Sequence, residues 1–217
     1  LIPLTNMDIW EIENNFYLKS DVTRLKKSVC QFEVFKKSIN VTGAIVECGV
    51  FKGSSLIRFL TYRDMFQKAK KKKIYGFDPF GKFPKQKIQE DQKFAIQHDK
   101  GTGLGISEKK LKTHLIKKKF KNFSLIKGDL LETLTNFLSK NKKFKISFLH
   151  LDMDVYEPTK FALENLYENV SKNGVILIDD FYGVKGATLA TKEFIKKNNL
   201  KIESLSYDKR LNFIIKK

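Results

Sequence analysis

Apolar residues in this chain recur first at helical spacing and then, beyond residue 43, in short runs broken by glycine and by further helical stretches. Asp8 ahead of Ile9, Ile12, Phe16 and Tyr17 predicts a capped helix. Asp21 opens a second, with Leu25, Val29, Phe32 and Phe35 read as one face. The apolar, β-branched run at 44–48, held between Gly43 and Gly49, predicts a buried strand. Further strands are expected at 73–77, 123–126, 146–151 and 175–178, and helices at 56–66, 108–119, 130–139, 159–170 and 187–197. Residues 79–107 carry glycines and prolines and read as an irregular excursion with one helix near 90–97. A loop of that length in a compact domain suits a lid. Strands at 201–206 and 211–215, parted by Asp208-Lys209-Arg210, are expected to pair antiparallel. Alternating strands and helices predict an α/β fold, a mostly parallel sheet with helices on both faces. One domain over 1–217 is expected, with 1–40 as a helical cap and 79–107 as the lid or acceptor loop.

Composition narrows the class. With 217 residues, 41% hydrophobic and 19 Phe, the chain is too apolar to be disordered. No apolar run approaches the ~20 residues of a membrane span, and no leader-like segment is read at the start. The chain opens on Leu1 rather than Met, so a missing natural start is expected. Cys30 and Cys48 have neither disulfide nor metal spacing, which fits a reducing cytoplasm. The net charge of +18 suggests an anionic partner. Of the 42 basic residues, however, only Arg24, Arg58, Arg63 and Arg210 are arginine, and nucleic-acid readers favour the arginine fork. The lysines also lie in short scattered runs, as a solvated surface would have them.

The acids are more informative. Ligands of an open parallel sheet bind outside the carboxyl ends of its strands. Acids stand at or just beyond strand after strand: Glu47, Asp78, Asp129 after Gly128, Asp152 with Asp154, and Asp179 with Asp180. Glu47-x-Gly49-x-x-x-Gly53 precedes a helix, so Gly49, Val50, Gly53 and Ser54 form a nucleotide-type loop. Its carboxylate would repel a diphosphate and attract an ammonium. Asp78 is placed to accept from ribose hydroxyls, and Gly128-Asp129 to flank adenine. Together these point to S-adenosylmethionine rather than a dinucleotide. Asp152, Asp179 and Asp180 would converge, and carboxylates packed without a cation must partly protonate. A hard divalent ion resolves this, Mg²⁺ foremost, with Mn²⁺ or Ca²⁺ as alternatives. His150 lies inside its apolar run and reads as a packed core residue, while His98 in the excursion reads as a weak substrate-pocket candidate.

Four segments carry a resemblance: 45–55, 75–80, 149–159 and 174–183, containing Glu47-Cys48-Gly49, Phe77-Asp78-Pro79, Asp152-Met153-Asp154 and Asp179-Asp180. In this order they resemble the macrocin O-methyltransferase (TylF-like) family. The resemblance implies a Rossmann-like class I methyltransferase, a seven-stranded sheet of order 3-2-1-4-5-7-6 with the last strand antiparallel. It implies S-adenosylmethionine as methyl donor, Mg²⁺ at Asp152, Asp179 and Asp180, a sugar hydroxyl as acceptor and Asp154 as general base. Pro158, where a small residue is usual, and Gly81-Lys82-Phe83-Pro84 after Asp78 depart from the family pattern, so the resemblance does not fix the acceptor's identity.

The expected partner is thus a sugar or another small molecule, an anionic one fitting the lysine surplus. Homo-oligomerisation is left open. Two rival readings are a nucleic-acid methyltransferase, for which no appended RNA-binding module or Asn/Asp-Pro-Pro-Tyr motif is seen, and a non-catalytic nucleotide-binding Rossmann-like protein, which would leave the clustered acids without a task.

Overall fold

A computed structural model describes residues 8–179 and 181–217. Helix α1 (Ile9–Lys19) starts at a capping box in which Asp8 and Glu11 each accept from the other's backbone N–H. Helix α2 (Val22–Lys36) is capped by Asp21. There follow β1 (Ala44–Cys48), α3 (Ser54–Met65), the single turn α4 (Gln67–Lys70), β2 (Ile74–Asp78), α5 (Gln89–Thr102), α6 (Glu108–Lys117) and β3 (Phe123–Lys127). The second half holds α7 (Leu130–Lys140), β4 (Ile146–Leu151), α8 (Tyr156–Leu166), β5 (Val170–Ile178), α9 (Lys185–Lys197), β6 (Glu203–Leu205) and β7 (Asp208–Ile215).

The strands form one sheet of order β3-β2-β1-β4-β5-β7-β6, parallel except for β7. Side chains alternate across it with period two. Ile45, Ile74, Phe148, Val175, Leu177 and Phe213 pack with residues of α2, α3 and α6. Their neighbours Val46, Leu149, Ile176, Ile178 and Ile214 pack with α7, α8 and α9 on the other face. The same alternation sends Glu47, His150 and Asp179 toward the α2–α3 side, where the site is built.

Three expectations are corrected. Leu25 and Val29 are 43% and 48% exposed, while Cys30, Gln31, Val34 and Phe35 are buried, so the buried stripe of α2 is turned from the one read. Strand β5 begins at Val170, because a 3-10 turn at Tyr167–Asn169 hands directly into it. Asp208 belongs to β7, not to the turn: its carboxylate accepts from the backbone and guanidinium of Arg210, and its backbone pairs with Leu205.

At the opposite end from the site, Arg63 of α3 is almost wholly buried. Its guanidinium donates to the carbonyls of Lys72, Lys121 and Asn122, and to Asp64. It ties together the segments that lead into β2 and β3.

Candidate active site

The carboxyl edge of the sheet opens into a cavity of about 820 Å³, lined by the loop after β1, the segment after β2, Gly128 and Asp129, Asp152 to Asp154, and Asp179. Gly49 has φ +90, and a Cβ there would stand 1.8 Å from the carbonyl oxygen of Asp152. Only glycine allows this close approach of the loop to the end of β4. Gly53, at φ +84, starts α3, and no side chain caps that helix. Its first N–H groups therefore face the cavity available to a carboxylate or other acceptor.

Asp78 holds the loop. Its Oδ2 accepts from the N–H groups of Val50 and Phe51, both at 2.8 Å, and its Oδ1 from Phe80 at 2.6 Å. Burial pushes this carboxyl up, against the pull of the three donors. The expected service to both ribose hydroxyls is thus reduced: three of its four lone-pair sites are taken, leaving one on Oδ1. Asp129 lines the cavity and also caps α7 through Leu131 N–H.

Glu47 departs further from expectation. It is fully buried and does not line the cavity. Strand register sets it opposite His150, whose Nδ1 donates to Glu47 Oε1 at 3.0 Å. His150 Nε2 lies 3.7 Å from Asp179 Oδ1, close enough to attract but too far for a hydrogen bond. Burial opposes charge on His150, yet the Asp179 and Glu47 carboxylates outweigh it and the imidazole is pushed up to about 10. Lys27 of α2 reaches in and contacts Asp179 Oδ2. Burial would raise Asp179, but His150 and Lys27 hold it well below the usual carboxylate range. Glu47, His150, Asp179 and Lys27 thus form a buried row of alternating charge. His150 is the packed core residue expected, fully buried against Phe59 and outside the cavity lining, and it also bridges Glu47 and Asp179. Its signal was its position opposite Glu47 at period two; Lys27 had none among so many lysines.

His150, Asp152 and Asp179 each place a ligand atom within 4.8 Å of one another. The remaining expected metal acid, Asp180, lies outside the described residues. The donors fit a hard cation: two carboxylates converge, and the buried Asp179 Oδ1 has no hydrogen-bond partner. Of the three groups, the two carboxylates are the oxygen donors that a hard cation would take. Asp154 sits at the cavity wall with a left-handed backbone, φ 66, and its carbonyl accepts from Ala187 N–H.

The excursion after β2 closes the cavity from above. Ile106 N–H donates to Phe51 O at 3.0 Å, and Lys52 Nζ to Thr102 O at 2.5 Å. His98 packs edge-on against Phe51 at 5.0 Å and Phe83 at 5.5 Å, which puts it in the cavity wall as part of an aromatic cluster. Asp91 of α5 accepts from Tyr156 N–H at 2.9 Å, capping α8 from a distant part of the chain.

A glycine loop after β1, acids at the strand ends and the order 3-2-1-4-5-7-6 define a Rossmann-like class I methyltransferase fold. Residues 22–213 match the macrocin O-methyltransferase (TylF) family, and the chain belongs to it. It is 27% identical to demethyldecarbamoylnovobiocin O-methyltransferase of Streptomyces niveus over 184 residues, 78% of this chain and 64% of that protein. The chain therefore spans less than two thirds of that relative. Among solved structures, CalS11, a TDP-rhamnose 3'-O-methyltransferase of calicheamicin biosynthesis, superposes with TM-score 0.69 at 21% identity, covering 97% of this chain and 88% of CalS11. The O-methyltransferase NovP gives 0.70 at 23%, covering 90% and 80%. Among the described residues no helix is long and apolar enough to cross a membrane.

Proposed function

We propose that this protein transfers a methyl group from S-adenosylmethionine to a hydroxyl of a sugar or glycosylated small molecule, with a divalent cation at Asp152 and Asp179. The observation that carries this reading is the convergence of these two carboxylates beside the glycine loop in one cavity. Family membership and the O-methyltransferase activities of the relatives support it.

The donor would lie along Gly49, Val50, Gly53 and Ser54, its methionine carboxylate at the start of α3 and its adenosine toward Asp78, Gly128 and Asp129. The sulfonium is already activated, so the chain's work is to align it and take up a proton. S-adenosylmethionine would supply the methyl carbon, its C–S bond breaking as the bond to the acceptor oxygen forms, which leaves a thioether and an ether. The hydroxyl proton passes to Asp154, which follows β4 at the mouth of the same cavity. A bound divalent ion would supply Lewis acidity toward the acceptor oxygens. The 79–107 segment acts as the lid that excludes water. Mg²⁺ is the expected ion and the cytoplasm the expected compartment.

Calorimetry of the full chain with S-adenosylmethionine, with and without MgCl₂, tests donor and metal together. Heat is expected in both titrations, and the Mg²⁺ heat should vanish in Asp152→Ala. No heat with the donor overturns the proposal; Mg²⁺ heat that survives in Asp152→Ala removes that residue from the metal site.

A further inference from the structure

Arginine is scarce in this lysine-rich chain, and its four positions divide cleanly. Arg63 is a buried strut and Arg210 is bound to Asp208. Arg24 and Arg58 both line the cavity, and among the described residues neither forms a salt bridge with a carboxylate. Arg24, Lys27 and Gln31 recur at helical spacing along one side of α2. Lys27 touches Asp179 at the end of β5, which places this side of α2 at the β5 end of the cavity. Arg58 comes from α3, and its Nη1 donates to Gln31 Oε1 at 3.2 Å. That bond fixes the guanidinium and leaves most of its donors unused. Gln31 is fully buried, and its Nε2 finds no hydrogen-bond partner. Two guanidiniums without a carboxylate partner thus line one cavity, and one of them is bound to a buried amide whose own donor is unsatisfied.

We propose that the acceptor carries an anionic oxygen group, a phosphate or a carboxylate, which Arg24 and Arg58 hold while the hydroxyl is presented to Asp154. This rests on the methyltransferase reading above. A planar guanidinium meets two oxygens of such a group at once, which lysine cannot do. Lys27 is engaged with Asp179, so the two arginines carry the recognition.

The test uses the full chain loaded with S-adenosylhomocysteine and MgCl₂, titrated with four probes: UDP-glucose, glucose 1-phosphate, glucuronic acid and neutral methyl glucoside. An anionic probe is expected to bind about tenfold or more tightly than the neutral one. The first two against the third distinguish phosphate from carboxylate. Arg24→Gln and Arg58→Gln should each weaken that probe by about tenfold while leaving S-adenosylhomocysteine affinity unchanged. Arg24→Lys, which keeps the charge and loses the fork, should fall between. Equal binding of neutral and anionic probes, no binding of any anionic probe, or wild-type affinity in both Gln variants overturns the inference. Loss of S-adenosylhomocysteine affinity in Arg58→Gln would give that guanidinium to the donor's carboxylate and overturn its assignment here. A wild-type chain that fails to bind S-adenosylhomocysteine refutes the methyltransferase reading instead.

Discussion

At the scale of single residues the site is governed by how its buried charges are matched. Lys27 does at Asp179 what a divalent ion would do, so a bound cation and the ammonium would compete for one carboxylate. Replacing it in Lys27→Met leaves Asp179 between His150 and the Asp152 carboxylate. The expected cost without metal is about 1–3 kcal/mol, below the usual penalty for a broken buried pair because Lys27 is partly exposed. At this chain length that lowers the melting temperature by several degrees. Mg²⁺ should then stabilise the variant more than the wild type, since binding to the native state adds stability and a competitor is gone. Melting curves in EDTA and in MgCl₂ check this, and equal Mg²⁺ shifts for both proteins would refute the competition. The candidate residues were legible because acids stood at strand ends. Which of them face the ligand was not. Glu47 was read as a cofactor contact, yet period-two alternation and the register with β4 turn it onto His150.

At the scale of elements, the excursion after β2 was legible as a loop but not as an anchored one. Helix α5 runs to Thr102, past the glycine at 101, because its end is fastened to Lys52. Its first turn is tied to α8, where Asp91 supplies the cap that α8 lacks in its own sequence. Caps contribute about 0.5–2 kcal/mol. Asp91→Ala should therefore destabilise the fold by about 1 kcal/mol. It should also raise KM for the acceptor more than for S-adenosylmethionine, because α8 begins two residues after Asp154. Steady-state kinetics with each substrate varied in turn would show the difference; an equal rise in both constants would make the contact merely structural. No local signal could reveal a cap delivered from a residue so distant in sequence.

For the molecule as a whole, alternating strands and helices predicted a mostly parallel sheet, and the family resemblance implied the strand order that the structure has. The +18 charge, spread over the surface, says little about the site. Asp208 links the far ends of the chain: Arg210 and Lys26 hold its carboxyl well below the usual range, joining β7 to α2. A depressed folded-state pKa contributes stability that is present above the unfolded value near 4 and lost as pH falls below it. Asp208→Asn should cost about 1–2 kcal/mol at neutral pH, a modest figure because both partners are largely exposed. It should also flatten the loss of stability between about pH 4 and pH 2. Denaturation followed across that range would expose the change, and parallel curves for the two proteins would refute it.

The buried strut at Arg63 has a consequence for diversification. It clamps the leading ends of β2 and β3 from the side of the sheet away from the cavity. Segments at the other edge can then be exchanged, lengthened or recombined without loosening the frame that carries the donor loop. A lineage could change the molecule it decorates by rewriting residues 79–107 around the Asp91 cap together with Arg24 and Arg58, and an engineer grafting foreign excursions there would have to keep that cap.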